Sequence, residues 1–331
     1  MGGNAFDKAE RLTPQFYKDV VDDIKWLLRN IMGYGSGFSI PHSVRNKESY
    51  GDVDVLVASS QMQAALKQMK NGFNVVGEIS NGCGYNLLVH TDGQYVQIDL
   101  NKTKDEDMEF AFHYFSWNDL GNLIGRIAHR QGLKHGHDGL WYVHRDGDHQ
   151  LGEILLTKDY DTALCHLGFD VNDFRAGFDS FEQMFDWVER CKYFEPSAFP
   201  LEHRNHQARV RDAKRKVYNL FLERLAFDGD YVPSDKEKHL ERHKDKWPHL
   251  RSEILFLNCQ NAVRKEVKAK LNGNIVRELT GLDGKELGEL MQIVKRMLPE
   301  DKVYSMFPAE IEEGVMDAFE RYKVEKNATN S

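Results

Sequence analysis

Three aspartates in this chain have a spacing that is suited to metal chemistry. Asp52 and Asp54 alternate with valines in the run GDVDVLV at 51–57, and Asp99 lies in the run YVQIDL at 95–100. A β-strand points successive side chains to opposite faces, so each run predicts a strand with one apolar face and carboxylates on the other. If these two strands are neighbours in one sheet, the three carboxylates converge on one place.

Such a cluster of carboxylates predicts a site for divalent cations. Like charges repel one another unless cations lie between them, and Mg²⁺ prefers a few carboxylate oxygens together with water and substrate phosphates. We therefore expect Asp52, Asp54 and Asp99 to bind two Mg²⁺ ions, which Mn²⁺ can replace. Two such ions about 3.5–4 Å apart activate a hydroxyl and stabilise a leaving pyrophosphate. The alternative interpretation is a polar strand face exposed to water.

These residues resemble the nucleotidyltransferases of the DNA polymerase beta superfamily, in which a Gly-Ser loop, an Asp-x-Asp strand and a third carboxylate follow one another. The run IPHSVRNKESYGD at 40–52 is similar to a group of uncharacterised nucleotidyltransferases from large phages and giant viruses. The starting run MGGNA and the run GHDGL at 136–140 extend this similarity. The resemblance implies magnesium-dependent transfer of a nucleoside monophosphate from a nucleoside triphosphate, with ATP among the candidates, and leaves the acceptor open.

The position of the phosphate-binding loop is ambiguous in the sequence. In the superfamily a Gly-Ser pair about ten residues before the acidic strand offers N–H groups and a hydroxyl to phosphate oxygens. Gly35-Ser36 is a literal pair but lies far upstream, whereas Ser43 has nearly the right spacing, so either segment could serve. Basic and hydroxyl side chains between Ser43 and the strand could bind phosphate as charges and donors. The residues predicted to bind nucleotide are Ser43, Arg45, Lys47, Ser49 and Gly51.

Composition and length favour a cytoplasmic enzyme. A chain of 331 residues, 41% of them hydrophobic, is long enough to form two domains with substantial cores. No leader pattern and no apolar run of roughly 20 residues is found, so we expect no membrane partner and a cytoplasmic location, in the host cell if the protein is phage-encoded. The four cysteines show no Cys-x-x-Cys spacing and predict free thiols. We interpret the fourteen histidines as surface or structural residues rather than zinc ligands.

A basic segment offers a candidate surface for nucleic acid, although the formal net charge of the chain is −8. Apolar residues at helical spacing from Val210 to Leu225 predict a helix with one buried and one basic face. This face could contact a phosphate backbone or a triphosphate, or could be an ordinary solvated surface. The cations of the segment, which we call the Arg204–Arg224 segment, are Arg204, Arg209, Arg211, Lys214, Arg215, Lys216 and Arg224.

The remaining patterns predict an α+β protein: a mixed sheet of about five strands with flanking helices, followed by a mostly helical domain. We expect a helix beginning at Thr13-Pro14, a helix capped by Ser59 or Ser60, and a helix from Ser116 to Arg130. Thr91-Asp92-Gly93 and Arg145–Asp148 predict hairpin turns. The expected strands are near residues 36–41, 52–58, 74–79, 85–90 and 95–100.

From 157 onward the patterns are nearly all helical, which places a domain boundary near residue 155. We expect residues 1–155 to form the nucleotidyltransferase head domain and residues 156–331 to form a helical substrate-binding domain. The run LTGLDGKELGEL at 279–290 is similar to a segment of CCA-adding tRNA nucleotidyltransferases and bacterial poly(A) polymerases. The motifs by which those enzymes choose the incoming base are not found, so base preference does not follow.

The sequence is compatible with two functional classes. In the first, an acceptor hydroxyl deprotonated with help from Asp99 attacks the α-phosphate of a nucleoside triphosphate, with Asp52 and Asp54 holding the metals. A tRNA-like RNA 3′ end is the favoured acceptor, and a protein, DNA or small-molecule hydroxyl is the alternative. In the second class, the protein binds nucleotide without turnover. Metal-dependent release of pyrophosphate discriminates between them.

Overall fold

The computed structural model describes residues 5–32 and 37–329 of the chain. Gly35-Ser36 and the run Met1–Asn4, which entered the sequence-based predictions, lie outside the described residues. The chain divides into two compact units. The first unit contains the described residues up to Val143 together with Glu153–Trp247, and the second contains His144–Gly152 together with the described residues from Pro248 onward.

The secondary structure alternates strands and helices in the first half of the chain and is helical in the second half. The strands are β1 (Phe38–Ser39), β2 (Val53–Ala58), β3 (Val75–Ser80), β4 (Gly84–Thr91), β5 (Gln94–Thr103), β6 (Leu133–Gly136), β7 (Gly139–Asp146) and β8 (His149–Thr157). The helices are α1 (Pro14–Met32), α2 (Met62–Gly72), α3 (Met108–Phe115), α4 (Leu120–Arg130), α5 (Tyr160–Leu167), α6 (Val171–Ala176), α7 (Phe181–Glu189), α8 (His206–Asp212), α9 (Lys216–Leu225), α10 (Lys236–Lys246), α11 (His249–Lys270), α12 (Gly273–Thr280), α13 (Gly284–Met297), α14 (Glu300–Ser305) and α15 (Pro308–Thr329).

A five-stranded sheet with the order β1-β2-β5-β4-β3 forms the centre of the first unit. Strands β2 and β5 are parallel, and the other pairs are antiparallel, so the sheet is mixed. Strands β4 and β5 form the predicted hairpin, in which Asp92 and Gly93 have φ angles of 47° and 79°. Gly93 accommodates this left-handed conformation without a steric penalty, and Asp tolerates it better than most residues. The predicted α+β class with a mixed sheet of five strands is confirmed.

One face of this sheet packs on α1 and α2 and forms the apolar core. Val53, Val55 and Val57 are fully buried and share a cluster with Ile24 and Met69 from the two helices. Helix α1 begins as predicted, because the hydroxyl of Thr13 accepts a hydrogen bond from the Phe16 N–H at 3.3 Å. Asp52 and Asp54 alternate with these valines, so their side chains lie on the opposite face of the sheet, which carries the candidate site.

The predicted cap of α2 is wrong, because both candidate serines make other contacts. A 3₁₀ turn at Ser59–Gln61 precedes α2, and no side chain caps either element. The Ser59 hydroxyl donates to the Thr103 carbonyl at 2.9 Å, and the Ser60 N–H donates to Asp105 at 3.1 Å. These contacts tie the end of β2 to the end of β5.

The helix predicted from Ser116 begins four residues later. Trp117 and Asn118 adopt left-handed backbone conformations with φ angles of 65° and 62°, which a right-handed helix does not tolerate. The Trp117 N–H donates to the distant His42 carbonyl at 2.5 Å instead of to a carbonyl of the preceding turn. Helix α4 therefore begins at Leu120.

The second half of the chain is helical, apart from the three-stranded sheet β6-β7-β8 that precedes it. Gly147 occupies the predicted turn between β7 and β8 with a φ angle of 58°. In the second unit, helices α11 to α15 share an apolar core that includes Val276, Leu290, Val294 and Val315. No helix of the described residues is long and apolar enough to span a bilayer. The functional division near residue 155 stays a prediction, because compactness does not test what each part binds.

Candidate metal centre and its cleft

The three predicted aspartates meet on the open face of the five-stranded sheet. Strands β2 and β5 run in parallel with Asp54 directly opposite Asp99, and Asp52 stands two residues before Asp54 on the same face. One oxygen from each of the three carboxylates lies within 4.8 Å of the others. A divalent cation or a pair of cations fits such a set of hard oxygen ligands.

Burial and the proximity of like charges govern the electrostatics of the cluster. Neither Asp54 nor Asp99 forms an ion pair with any described residue. Desolvation, together with the charges of Asp52 and Asp99, raises the pKa of Asp54 from 3.8 to about 7, although the hydrogen bond from Asn101 and the charge of Lys47 oppose the rise. Part of the Asp54 side chain remains accessible from the cleft, so a cation can reach it from solvent. A bound cation would favour the ionised form of all three acids.

Amide side chains hold two of the carboxylates in place. Asn86 and Gln97 donate hydrogen bonds to Asp99 at 2.5 Å and 2.9 Å, and Asn101 donates to Asp54 at 3.0 Å. Burial raises the pKa of Asp99, while the bonds from Asn86 and Gln97 oppose this rise. These amides orient the carboxylates without neutralising them, because a neutral donor leaves the net negative charge in place.

The carboxylates line a cleft of about 400 Å³ whose other charged residues are mostly cations. Besides the three carboxylates, the lining residues are Arg11, Tyr17, Pro41, His42, Ser43, Lys47, Tyr50, Gly51, Phe115, Asn118, Asp119, Phe181, Arg215, Lys216 and Val217. Arg11, Lys47 and Lys216 line the same cleft as the three acids and form no ion pair with any described acid. This arrangement suits a ligand that carries several negative charges together with a divalent cation.

The loop at residues 42–46 presents Ser43 to the cleft. Four backbone N–H groups of this loop are bonded: His42 to the Ser116 hydroxyl, Val44 to the Asn118 side chain, and Arg45 and Asn46 to carbonyls of residues 178 and 179. Among the described residues, no acceptor is found for the Ser43 N–H or its hydroxyl. The loop is thus held rigidly with two donors of one residue left available, which is the arrangement that phosphate binding requires.

Two aromatic rings place Lys47 over the cleft. Tyr17 and Tyr50 stack with ring centroids 3.7 Å apart, and the Lys47 ammonium lies 4.5 Å from the Tyr50 centroid. Burial lowers the pKa of Lys47, and the nearby Asp52 opposes that shift. Burial together with Tyr50, Asp54 and Asp52 raises the pKa of Tyr17, so its hydroxyl keeps its proton.

Two of the predicted phosphate-binding residues make other contacts. Arg45 forms an ion pair with Asp179 at 2.6 Å and donates to the Ala176 carbonyl, so its guanidinium does not line the cleft. Ser49 accepts a hydrogen bond from Arg11 at 2.9 Å, and its backbone carbonyl accepts a second one at 3.0 Å. Ser49 therefore supports a cation of the cleft rather than lining the cleft itself.

The Arg204–Arg224 segment forms two helices instead of the predicted single helix. Helices α8 and α9 are separated at residues 213–215, and Val210 and Leu220, predicted to be buried, are 47% and 45% exposed. Buried Asp212 forms ion pairs with three of the arginines, and Asp119 pairs with Arg215 as well. Arg224 pairs with Asp186 and Glu189. The structure therefore neutralises most of the predicted basic face and leaves Arg209, Lys214 and Lys216 without an acidic partner among the described residues.

Sequence reasoning did not assign Arg11, Asn118 or Asp119 to the site. Arg11 lies just before α1, and Asp119 precedes α4, so neither is near the acidic strands in sequence. Arg215 was noted only as part of the basic segment, and it reaches the cleft because it pairs with Asp119, 96 residues away. No local pattern reports a contact over that separation.

Comparison with solved structures gives a distant similarity to a protein described as Leishmania infantum polymerase beta in a ternary P/T complex. The alignment has 12% sequence identity and a TM-score of 0.36, and it covers 43% of this chain and 61% of that chain. A similarity of this degree carries no argument about function. No family model matches the chain, and no curated protein sequence matches it. The similarities to large-phage enzymes and to CCA-adding enzymes are not found in these comparisons and stay expectations.

Proposed function

We propose that this protein is a nucleotidyltransferase that moves a nucleoside monophosphate from a nucleoside triphosphate to an acceptor hydroxyl. The observation that carries the proposal is the convergence of Asp52, Asp54 and Asp99 within 4.8 Å in a cleft whose other charged residues are mostly cations. Two Mg²⁺ ions, or Mn²⁺ in their place, are the proposed cofactors. Bound there, they would polarise the phosphate oxygens and stabilise the leaving pyrophosphate.

The described residues have complementary roles in this reaction. The Ser43 N–H and hydroxyl donate to phosphate oxygens, Gly51 allows the ligand to approach the backbone, and Lys47 and Lys216 neutralise the triphosphate. Asp99 accepts the proton of the acceptor hydroxyl, whose oxygen forms the new bond to the α-phosphorus while the bond to the pyrophosphate oxygen breaks. A raised pKa makes Asp99 a better base, and its bonds to Asn86 and Gln97 hold it in orientation.

An RNA 3′ end is the acceptor that we propose to test first. Fewer cations are available to bind RNA than the sequence predicted. Within the Arg204–Arg224 segment, Arg209, Lys214 and Lys216 are the cations that lack an acidic partner among the described residues. All three are exposed, and Lys216 lines the cleft, so a strand bound by them would lead toward the carboxylates. A protein, DNA or small-molecule hydroxyl is the alternative acceptor.

Incorporation of label tests the proposal directly. Each of four α-³²P-labelled nucleoside triphosphates is incubated with Mg²⁺ or Mn²⁺ and with mixed tRNA, DNA oligonucleotides or total protein, and pyrophosphate release is measured in parallel. We expect label in one acceptor fraction and its loss in Asp52→Asn. The matched control is Asp92→Asn at the tip of the β4–β5 hairpin, which makes the same chemical change at an exposed position outside the cleft.

Two outcomes would contradict the proposal. Label that persists in Asp52→Asn would place the chemistry elsewhere. Nucleotide binding without pyrophosphate release in any fraction, small-molecule acceptors included, would identify a binding module without turnover.

A further inference from the structure

A second pocket of the first unit carries a positive charge that no described acid neutralises. This pocket, which we call the α5–α10 pocket, has a volume of about 520 Å³ and lies between α5, α10 and the segment Lys192–Tyr193. Lys192, Arg242 and Lys246 line it, and its only lining acid, Asp161, is paired with Arg175 at 2.8 Å. It shares no lining residue with the cleft of the aspartates.

Arg242 is held in this pocket by neutral acceptors alone. Its guanidinium donates to the His166 carbonyl at 2.8 Å, to the Tyr193 hydroxyl at 2.7 Å and to the Gln131 side chain. It also lies over the Tyr193 ring, with 4.4 Å between the guanidinium carbon and the ring centroid. Its Nε is buried and has no acceptor among the described residues. Folding usually pairs a partly buried guanidinium with a carboxylate, because desolvating an uncompensated charge costs free energy.

The two histidines beside Arg242 connect the helices of the pocket, but they do not compensate the positive charge of Arg242. Nε2 of His243 lies 2.8 Å from the Gln131 carbonyl, so it carries a proton and donates, and its Nδ1 accepts from His166 Nε2 at 2.8 Å. Burial lowers the pKa of His166 to about 3 and that of His243 to about 4, with Arg242 adding to both shifts. Both rings are therefore neutral near pH 7 and join α5 to α10 through one defined pair of tautomers.

We propose that the α5–α10 pocket binds a phosphate group. Arg242 offers a guanidinium that its neutral acceptors hold in place, and Lys192 and Lys246, which line the same pocket, are exposed and have no acidic partner among the described residues. A ligand with two or more negative charges matches three uncompensated cations, and the second N–H of Arg242 Nη2, for which no acceptor is found among the described residues, can donate to a phosphate oxygen. The phosphate belongs either to a small phosphorylated molecule or to a nucleic-acid strand. This inference is independent of the proposed transfer reaction.

Binding of inorganic pyrophosphate and of a short single-stranded RNA to the full chain tests this proposal. The titrations are performed in EDTA, so that no divalent cation bridges the ligand to the aspartates, and amide hydrogen exchange locates the site. We expect slower exchange in α5 and α10, and about tenfold weaker binding in Lys192→Gln/Lys246→Gln. Both lysines are exposed, so this variant should retain its fold, which circular dichroism checks.

The matched control removes two positive charges from α10 at positions outside the pocket. Lys236→Gln/Lys238→Gln changes two exposed lysines of α10 that do not line the pocket, and we expect less than about a twofold change in affinity. Pyrophosphate binding that RNA cannot displace would identify a small phosphorylated ligand, and tighter RNA binding lost in the pocket variant would identify a strand. Absence of binding by both probes, or equal effects of the two lysine pairs, would overturn the proposal.

Discussion

The acidic face of β2 and β5 and the Arg204–Arg224 segment are both dense in charge, and the fold treats them in opposite ways. Asp54 and Asp99 lie close to another carboxylate and have no cationic partner among the described residues. In the segment, buried Asp212 alone pairs with three arginines. The first arrangement raises a carboxyl pKa to about 7, whereas no arginine of the second is left in the interior without an acid.

The ion pairs of the Arg204–Arg224 segment are expected to stabilise the fold, whereas the carboxylates of β2 and β5 are available to bind a cationic ligand. A buried ion pair with several contacts is costly to break, because removing one partner leaves the other charge desolvated. A cluster of like charges costs free energy unless protons or cations compensate the repulsion. The acidic face is therefore the better candidate for function, although the basic segment has more charged residues.

The largest expected effect is the loss of transfer when the acidic cluster is broken. Asp54→Asn should lower the rate of the proposed nucleotide transfer on the order of ten-thousandfold, because the substitution removes a carboxylate that we propose to bind metal. The same variant should lose the rise in melting temperature that Mn²⁺ gives the wild type. Full transfer by Asp54→Asn with an unchanged response to Mn²⁺ would remove the acidic face from the mechanism.

Breaking the buried network of the basic segment should affect stability instead. Asp212→Asn leaves Arg204, whose side chain is 4% exposed, without its ionic partner, and we expect a loss of about 3–5 kcal/mol in the free energy of unfolding. Urea denaturation measures this loss. The control is Asp186→Asn, since Asp186 is 58% exposed and its pair with Arg224 should contribute less than about 1 kcal/mol. Equal effects of the two substitutions would contradict a structural role for Asp212.

A smaller effect should come from the loop that faces the acidic cluster. Ser43→Ala removes a hydroxyl that has no acceptor among the described residues, and a lost hydrogen bond to a charged phosphate should raise the KM for nucleoside triphosphate about tenfold. Ser252→Ala serves as the matched control, because Ser252 is exposed, does not line the cleft, and its hydroxyl donates to the His249 carbonyl of its own helix. If both variants shift KM equally, the contribution of Ser43 is not specific.

The smallest effect concerns the pH dependence of stability without metal. The pKa of Asp54, about 7, exceeds the ordinary value of 3.8, so the folded protein binds more protons than the unfolded chain between these values, and stability falls as pH rises. Asp54→Asn removes this loss. Solvent screens the charge of the partly exposed Asp54, so the effect should be small. We expect the melting temperature of Asp54→Asn in EDTA at pH 8 to exceed that of the wild type by on the order of 2 °C.

The same measurement at lower pH provides its control. The difference between Asp54→Asn and the wild type should shrink as the pH is lowered from 8 toward 4, since protonation then neutralises the wild-type carboxyl. A constant difference across this range would mean that the substitution acts through packing rather than through charge.

The parts of the fold that were predicted from sequence depend on short-range geometry. The alternation at 52–57 predicted the buried face of Val53, Val55 and Val57, although Leu56 on the other face is buried as well. Asp92-Gly93 predicted the turn between β4 and β5. The caps of α2 and the start of α4 were not predicted, because Ser59, Ser60 and the His42 carbonyl engage partners that are more than forty residues away. A serine at a plausible cap position cannot reveal a competing long-range acceptor.

The sequence by itself determined that Asp52, Asp54 and Asp99 lie on polar faces of strands, because the period of a strand is a property of the backbone. Only the tertiary structure decided that β5 lies beside β2 in parallel, which brings Asp99 opposite Asp54. It also brought Arg11 and Lys216 to the same cleft, and it neutralised most of the basic segment through Asp212 and Asp119. Charge type is local information, whereas compensation of a charge depends on contacts between residues distant in the chain.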